Sequence, residues 1–409
     1  MGPARLSEQT LHRAGLALLA LSVVAGVVYS CFIPAGARFV DEADYLALGR
    51  HLAEGAGYSL NGVQPTAMRP PGYPFFLAPI LAAGGGIAVI RIAQNLLVAG
   101  TVMLAARLTA KGPGALAATA GLTLLYPVLF YTAGTLYAQT LAGFLFVAAL
   151  AQWLAAGRRL FPAFTGGLTF GALILTVPTF GLTFFVALAA AWWLKQLGGR
   201  GILAAAVGAT LMLGVWTTRN LVQFHRFVPV ASNSGFNFLL GNNGHAVPYR
   251  GINDVDVAPY VREADARGLD DFARDRFFRE QALRWIGHHP GREARLYAEK
   301  TLNFFNLWNE YAPSSRAQIT AGMQAVMAGS YLLLLGLLAW RLAETRRFPL
   351  EPREKFLLLI YVASAFTSAI FLTRIRFRLP YDYLLIAVIA GHLARRWLAP
   401  KAGKNPTER

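Results

Sequence analysis

The sequence predicts an all-α polytopic membrane protein with about ten transmembrane helices and two larger extracytoplasmic loops. Of its 409 residues, 55% are hydrophobic and only 14% are charged, whereas soluble globular chains carry about 25% charged residues. The apolar residues fall into runs of roughly 17 to 25, the length that crosses the hydrocarbon of a bilayer. The basic residues lie mostly in short segments between these runs. Together these observations predict one membrane-embedded body.

Ten apolar runs are the candidate transmembrane helices. In chain order they cover residues 14–32, 88–108, 115–133, 136–156, 162–177, 179–194, 202–224, 319–342, 356–373 and 381–398. The first run is long and has no A-x-A cleavage site, which predicts an anchor and not a removed signal peptide. The two runs beside Pro178 are short. Residues 73–83 are apolar but too few to span, which predicts a re-entrant or interfacial helix.

The distribution of charge predicts that both termini are cytoplasmic, because Lys and Arg in short loops favour that side of the membrane. With this orientation, the inner segments hold 18 basic and five acidic residues, which account for 13 of the 17 net positive charges. Topology therefore explains most of the basicity, and we expect no nucleic-acid partner. The same orientation places the two larger loops, and any chemistry that they perform, on the extracytoplasmic side.

This orientation divides the chain into three parts. Residues 1–224 form a transmembrane module that includes a first extracytoplasmic loop, 33–87; residues 225–318 form an extracytoplasmic helical loop; and residues 319–409 form the last spans and a basic cytoplasmic tail. In the second loop, residues 270–286 predict a helix with acid-before-base pairs four residues apart. Cys31 is the only cysteine, so the chain has neither an intramolecular disulfide nor a Cys-rich metal site.

The first outer loop begins with the acidic motif Asp41-Glu42-Ala43-Asp44-Tyr45. If the motif starts a helix, Tyr45 lies on the same face as Asp41, so that Asp41 points toward protein or membrane. A carboxylate in such a position is a candidate general base, with Asp41 the first choice and Glu42 the second. The alternative is that both acids only cap the helix and complement its dipole.

Two groups of arginines are candidates for binding phosphate. Arg69 precedes two prolines, which favour an extended and stiff backbone. Arg374, Arg376 and Arg378 lie in a predicted outer loop, although the positive-inside rule disfavours arginines on that side of the membrane. If the loop is extended, all three side chains point the same way and could form bidentate contacts with phosphate. Alternatively, Arg69 anchors the loop at the membrane interface. Arg374, Arg376 and Arg378 could instead contact anionic lipid headgroups.

The absence of several well-known motifs argues against other function classes. The sequence contains no G-x-x-x-x-G-K-[ST], H-E-x-x-H or G-x-S-x-G pattern, so nothing indicates a nucleotide site, a zinc protease or a serine hydrolase. His288 and His289 follow the charged helix, where capping is the favoured role. No His or Cys spacing supports a metal site, and a divalent metal held by Asp41 and Glu42 is left open.

Taken in order, several motifs resemble bacterial glycosyltransferases of the C superfamily, in particular the branch of protein O-mannosyltransferases and aminoarabinose transferases of lipid A. The motifs are Asp41 to Tyr45, Gly55 to Ser59, Pro65 to Pro74, Arg219-Asn220, Gly241-Asn242-Asn243 and Arg376 to Tyr381. The resemblance implies that Asp41 is the catalytic acid of the first outer loop and that Arg69, Arg376 and Arg378 contact the donor phosphate. One departure is Thr176-Val177-Pro178-Thr179, where many relatives place an arginine before the proline.

The resemblance implies an inverting transfer of sugar from a polyprenyl-phosphate donor to an extracytoplasmic hydroxyl of a protein, lipid or polysaccharide. It also implies a location in the inner membrane of a bacterium, with the active site on the extracytoplasmic side. Five further residues of these motifs are candidate substrate-binding residues: Tyr45, Tyr58, Arg219, Asn242 and Asn243. The alternatives are a lipid or glycolipid transporter or flippase, and a non-catalytic assembly factor. Transporters usually place ionisable groups near the membrane midplane, whereas the centres of these runs are almost free of them, which favours the enzyme.

Overall fold

The computed structural model describes residues 7–34, 36–109, 112–248, 257–308, 311 and 320–398, and this part of the chain folds into α-helices. The first nine are α1 (Glu8–Cys31), α2 (Val40–Ala53), α3 (Gly72–Ala82), α4 (Ile87–Thr109), α5 (Pro113–Leu124), α6 (Val128–Ala133), α7 (Gln139–Ala156), α8 (Leu160–Thr176) and α9 (Phe180–Trp193). The others are α10 (Gly199–Phe224), α11 (Ser234–Gly241), α12 (Ala258–Ala266), α13 (Asp271–His288), α14 (Pro290–Asn303), α15 (Ala321–Ala343), α16 (Pro352–Ala369) and α17 (Ile375–Leu398).

The prediction of a helical polytopic membrane protein is confirmed. Helices occupy all ten predicted runs, and five of them are long and apolar enough to cross a membrane: α1, α4, α7, α10 and the helix that begins with α15. At 1.5 Å per residue, the 24 residues of α1 extend over about 36 Å. Large apolar side chains on the outside of these helices, such as Val24, Leu211 and Val326, are exposed, as expected for surfaces that face lipid.

Two prolines divide apolar runs into shorter helices. The run 115–133 was predicted as one span, but α5 ends at Leu124 and α6 begins at Val128, after Pro127. The missing N–H of a proline removes the bond to the carbonyl four residues earlier, so a helix is readily interrupted there. Pro178 separates α8 from α9 in the same way, and Val177 before it is extended, with φ −139° and ψ 99°.

The last helix, α17, corrects the interpretation of the arginine segment. An extended loop was considered for residues 373–380, but α17 already begins at Ile375 and includes Pro380. The proline lies in the second turn, where its missing N–H costs the single hydrogen bond to the carbonyl of Arg376. Arg376 and Arg378 therefore lie on a helix, two residues apart, and their side chains point in different directions.

The first large loop contains α2 and α3, which pack against each other. Residues 73–83 were predicted as a short interfacial or re-entrant helix, and α3 (Gly72–Ala82) occupies this position with Tyr73 and Leu77 fully buried. Gly49 of α2 allows the two helices to approach, because a Cβ at this position would lie 2.9 Å from the Cβ of Leu77. This pair of helices positions the acidic motif against the membrane helices.

The core of the molecule surrounds α17, whose residues from Leu384 to Ala390 are almost completely buried. A second cluster joins α11, α12 and α13 through Leu239, Ala264, Phe277, Phe278 and Ala282. The predicted helix at 270–286 is confirmed as α13, with Asp270 as its N-cap.

The charged residues of α13 mostly pair with partners other than those four residues away. Asp270 binds Arg226, and Asp275 accepts hydrogen bonds from the backbone N–H of Gly235 and the hydroxyl of Ser234. Of the three predicted pairs, Glu280 and Arg284 contact each other, at 3.9 Å. The charge pattern therefore predicted the helix correctly but most of the partners wrongly, because contacts to Arg226 after α10 and to α11 compete with the local ones.

Candidate active site

Glu42 organises the start of α2. Its Oε2 accepts hydrogen bonds from the backbone N–H groups of Arg38 and Phe39, at 2.5 and 3.2 Å, so its side chain reaches back and caps the start of the helix. Its Oε1 accepts another from the N–H of Leu136, at 2.8 Å. With 1% of its surface exposed, Glu42 fixes both the first turn of α2 and the chain before α7. The alternative role of helix capping is thus what the structure shows for Glu42.

Asp41 contacts three side chains from three distant segments. Arg69 Nη2 donates to its Oδ1 at 2.8 Å, and the hydroxyl of Tyr137 donates to Oδ2 at 3.2 Å. Arg376 Nη1 lies 3.6 Å from Oδ2, a longer ionic contact. A quarter of the Asp41 side chain is exposed. Asp41 is therefore partly accessible and lies between two guanidinium groups.

Arg69 is held more tightly by Asp44 than by Asp41. Its Nε and Nη2 both donate to Asp44 Oδ2, at 3.0 and 2.7 Å, and the hydroxyl of Tyr58 donates to the backbone carbonyl of Arg69 at 2.8 Å. Asp44 was not among the residues selected from the sequence. Its position three residues after Asp41 on a helix was the available signal, because such residues share a face.

The three late arginines occupy different environments. Arg376 is 8% exposed, and its guanidinium lies 4.4 Å from the centre of the Tyr137 ring. Arg378 pairs with Asp382 at 3.2 Å and donates to the carbonyls of Phe304 and Asn306. Arg374 is buried directly before α17. The structure therefore brings Arg376 to Asp41, whereas Arg378 ties the chain after α14 to the membrane helices.

Of the five other candidates, Tyr45 lines the same cavity as Asp41. Arg219 donates to the carbonyl of Thr66 and stacks against Trp216 at 4.8 Å. Tyr58 supports the backbone of Arg69, as described above.

Asn242 and Asn243, also candidates, are buried. Asn242 donates to the carbonyls of Phe238 and Ile370 and accepts from Lys300. Asn243 donates to the carbonyl of Leu239 and accepts from the N–H of His245. The structure places both asparagines in positions that stabilise the end of α11, and their binding of substrate stays a prediction.

A cavity of about 550 Å³ contains this arrangement. Its charged lining residues are Asp41, Arg69 and Arg376, so the lining carries one net positive charge. Apolar side chains from the α8–α9 junction and from the chain before α17 form much of the wall: Val177, Pro178, Leu182, Ile370, Phe371 and Leu372. Polar lining residues are contributed by Gln139 of α7 and by Asn233, Ser234 and Asn237 at the start of α11.

The pKa values of Asp41 and Arg69 are shifted by their mutual contact. Burial raises the pKa of the Asp41 carboxyl, but Arg376, Arg69 and the Tyr137 hydroxyl more than offset burial and hold this pKa below its usual value. Burial lowers the pKa of Arg69, but Asp41, Tyr45 and Asp44 raise it above the ordinary range. Both groups are consequently charged at neutral pH.

The described residues contain no group of three or more His, Cys, Asp and Glu side chains that could hold a metal ion. Both aspartates of α2 bind Arg69, and both oxygens of Glu42 accept backbone hydrogen bonds. A metal held by Asp41 and Glu42 stays a prediction, and its binding would require these contacts to be exchanged.

Sequence reasoning missed Tyr137 and Gln139 entirely. Neither belongs to a local pattern, because both lie where an apolar run begins. They reach Asp41 and the cavity only through the packing of α7 against α17 and the contact of Tyr137 with α2. Glu42, which binds the N–H of Leu136, fixes this contact.

Among known proteins, no family model matches the chain, and no curated protein matches it. Solved structures similar to the chain include two crystal structures of ArnT from Cupriavidus metallidurans. The structure bound to undecaprenyl phosphate has 14% sequence identity and a TM-score of 0.44, and the similarity covers 93% of this chain and 77% of the other. The apo structure has the same identity and coverage and a TM-score of 0.40. Values this low establish neither a family nor a substrate, which have to be argued from the chain's own residues.

Proposed function

We propose that this protein is a membrane glycosyltransferase that transfers a sugar from a polyprenyl-phosphate donor to a hydroxyl group of an acceptor. The observation that carries the proposal is the position of Asp41 between Arg69 and Arg376 at the wall of a cavity with a large apolar surface. A carboxylate supplies a base, two guanidinium groups supply counter-charge for a phosphate, and the apolar wall suits a lipid chain. The three charged residues come from segments that are far apart in sequence.

The proposed reaction is a direct displacement at the anomeric carbon. The acceptor oxygen forms the new bond while its proton passes to a carboxylate oxygen of Asp41, which acts as general base. The bond between the anomeric carbon and the phosphate oxygen breaks, and its electron pair leaves with the lipid phosphate. Arg376 and Arg69 stabilise the negative charge that develops there. A single displacement inverts the anomeric centre.

Asp41 has to be released from its ion pairs before it can act as a base. With two guanidinium groups nearby, its pKa is low and its affinity for a proton is weak. A donor phosphate between the arginines competes for both, and Arg376 is the easier to withdraw because its contact with Asp41 is 3.6 Å long. Asp44 keeps Arg69 in place through two hydrogen bonds. Donor binding then raises the pKa of Asp41 and activates it.

The proposed orientation places the cavity on the extracytoplasmic side of a bacterial inner membrane, with both termini in the cytoplasm. The support is the distribution of basic residues along the chain. The lipid chain of the donor would lie along the apolar wall, and the acceptor would approach from the side of α11. A protein, a lipid and a polysaccharide are all suitable acceptors, since each offers a hydroxyl.

The test of this function begins with mass spectrometry of lipid-linked sugars and envelope glycans from cells with and without the protein, because the donor accumulates when its transferase is missing. The purified protein should then consume this donor. Asp41→Asn keeps the shape of the side chain and removes its basicity, so we expect transfer to fall by about 10²- to 10⁴-fold.

Asp265→Asn is the matched control, because Asp265 is exposed and pairs with Arg274 away from the cavity. This variant should transfer normally. Near-normal transfer by Asp41→Asn would contradict the role of Asp41. Failure of the unaltered protein to consume any lipid-linked sugar would favour a transporter or an assembly factor, since neither cleaves the donor.

A further inference from the structure

The start of α7 is held rigidly beside the cavity. Arg91 Nε donates to the carbonyl of Gly134 at 3.0 Å, and Gln94 Nε2 donates to the carbonyl of Thr135 at 2.7 Å. The N–H of Leu136 donates to Glu42, and the hydroxyl of Tyr137 donates to Asp41. Each of these four consecutive residues thus has a fixed partner. The first residue of α7, Gln139, follows two positions later and lines the cavity.

The first turn of α7 has free hydrogen-bond donors. The first N–H groups of any helix have no partner within the helix. The N-cap residue is Ala138, whose methyl side chain cannot accept a hydrogen bond from the first turn. Because α7 has 18 residues, its peptide dipoles also place a partial positive charge at this end. A helix start of this kind favours an anion.

A second observation indicates a ligand at this position. Gln139 is 6% exposed, and its Oε1 has no hydrogen-bond partner among the described residues. The Nε of Arg376, which lines the same cavity, is likewise buried without one. Buried polar atoms without partners are rare in folded proteins. Rotation about the last torsion of a glutamine exchanges its acceptor and donor ends, so Gln139 can present its NH₂ group to the cavity.

We propose that the first turn of α7, together with Gln139, is the subsite that binds the phosphate of a polyprenyl phosphate next to Arg376. The N–H groups of the first turn, the NH₂ group of Gln139 and the guanidinium of Arg376 are all donors, and the several oxygens of a phosphate can accept from them together. The inference rests on the proposed function, because that function supplies the lipid phosphate. It adds a positioning group, Gln139, that has no hydrogen bond to Asp41 among the described residues.

The test measures binding of undecaprenyl phosphate to the purified protein in lipid nanodiscs. Gln139→Leu removes one hydrogen bond, so binding should weaken by about 2- to 10-fold. Gln139→Glu puts a negative charge beside the phosphate, and we expect a loss of about tenfold or more, since like charges repel at this distance. In transfer assays, Gln139→Leu should raise the KM for the donor and leave kcat within about twofold, because uniform binding is lost.

Gln152 provides the matched control on the same helix. It donates to Ala148 and Thr169 and lies 13 residues after Gln139, which is about 20 Å along the helix. Gln152→Leu should bind undecaprenyl phosphate as the unaltered protein does. Undecaprenol, which has no phosphate, should bind all variants equally weakly. If Gln139→Glu weakened the binding of undecaprenol as much as that of undecaprenyl phosphate, the subsite would be wrong, because the substitution would then disturb the fold and not a contact with phosphate.

The outcomes separate this subsite from the proposed function. If undecaprenyl phosphate binds the unaltered protein and both Gln139 variants equally, the subsite is wrong, while loss of transfer in Asp41→Asn still supports the enzyme. If the unaltered protein does not bind undecaprenyl phosphate at all, the subsite and the proposed donor class both fail. Inorganic phosphate and phosphatidylglycerol should not displace the lipid at equal concentration, and displacement by either would overturn a subsite for polyprenyl phosphate.

Discussion

At the scale of single residues, Asp41 is set apart from its neighbours by what its carboxylate contacts. Glu42 and Asp44 lie on the same helix, but Glu42 accepts three backbone hydrogen bonds and Asp44 accepts two from Arg69. Asp41 accepts one hydrogen bond from Arg69 and one from Tyr137, and its contact with Arg376 is long. Its carboxylate is therefore the one that can exchange partners when a substrate binds.

The pH dependence of transfer should report the contact between Asp41 and Arg69. The pKa of Asp41 lies below its ordinary value of 3.8, so kcat/KM, which reports the free enzyme, should not change above about pH 5 on account of this group. Arg69→Gln removes one of the two cations that lower the pKa of Asp41, whereas burial, which raises this pKa, remains. The acid limb should move up by about 1 to 3 pH units, in addition to a lower rate.

Arg226→Gln serves as the control for the pH profile, because Arg226 pairs with Asp270 on the exposed side of the outer helices. Its profile should match that of the unaltered protein. An acid limb at the same pH in Arg69→Gln would mean that Asp41 is not the base or that Arg69 does not act on it.

At the scale of helices, α11 and α14 hold the chain that leads to Arg376. Lys300 of α14 donates to the carbonyls of Gly241 and Phe371, at 3.0 and 3.4 Å, and to Asn242 Oδ1 at 2.7 Å. Asn303 donates to the carbonyl and hydroxyl of Thr373. These contacts fix residues 370–373, three of which line the cavity, directly before α17 begins.

Replacing Lys300 should therefore affect both stability and transfer. Lys300→Met leaves three buried acceptors and Glu293 without their donor, and each unsatisfied group costs about 1 to 3 kcal/mol. We expect a clearly lower melting temperature in detergent and reduced transfer, because Arg376 is no longer held. Lys355→Met is the control, since Lys355 is exposed on α16, and it should change neither. Unchanged melting and transfer in Lys300→Met would contradict this role.

The pH dependence of stability provides a further measurement on the same variant. Burial lowers the pKa of Lys300 from 10.5 to about 8, although Glu293 partly offsets burial. Between pH 8 and 10.5 the unfolded chain holds a proton that the folded protein has released, so stability rises with pH in this window. As the pH rises from 8 to 10.5, the melting temperature of the unaltered protein minus that of Lys300→Met should therefore increase.

The sequence predicted the helices better than it predicted their contacts. Apolar runs were sufficient to place helices at all ten predicted runs, and five of these helices are long and apolar enough to cross a membrane. The start of α17 at Ile375 was not foreseen, since Pro380 resembled the end of a loop, although proline is tolerated near a helix start. Asp41, Arg69 and Arg376 were found from local patterns and motif resemblance. Tyr137 and Gln139 carry no local signal, because only the packing of α7 brings them to the cavity.

At the scale of the whole molecule, the proposed orientation in the membrane agrees with several separate features. Exposed Trp192 and Trp193 end α9, close to Lys195 and Arg200, as expected at the cytoplasmic interface. The α2–α3 pair and α11–α14 lie in the two long segments between spans and both contribute to the site around Arg376. A lipid-linked donor and its acceptor can meet only if both segments lie on one side of the membrane.

The single native cysteine allows this orientation to be tested without altering the site. Cys31 is exposed and ends α1, so we expect it to lie on the extracytoplasmic side. A membrane-impermeant maleimide should label it in intact spheroplasts, and Cys31→Ser should abolish the label. In the Cys31→Ser background, Gln9→Cys places a thiol at the exposed opposite end of the same helix, and it should be labelled only after the membrane is opened. Labelling of Gln9→Cys in intact spheroplasts, together with no labelling of Cys31 in the unaltered protein under the same conditions, would reverse the orientation. The cavity would then lie on the cytoplasmic side, where an acceptor of the cell envelope could not reach it.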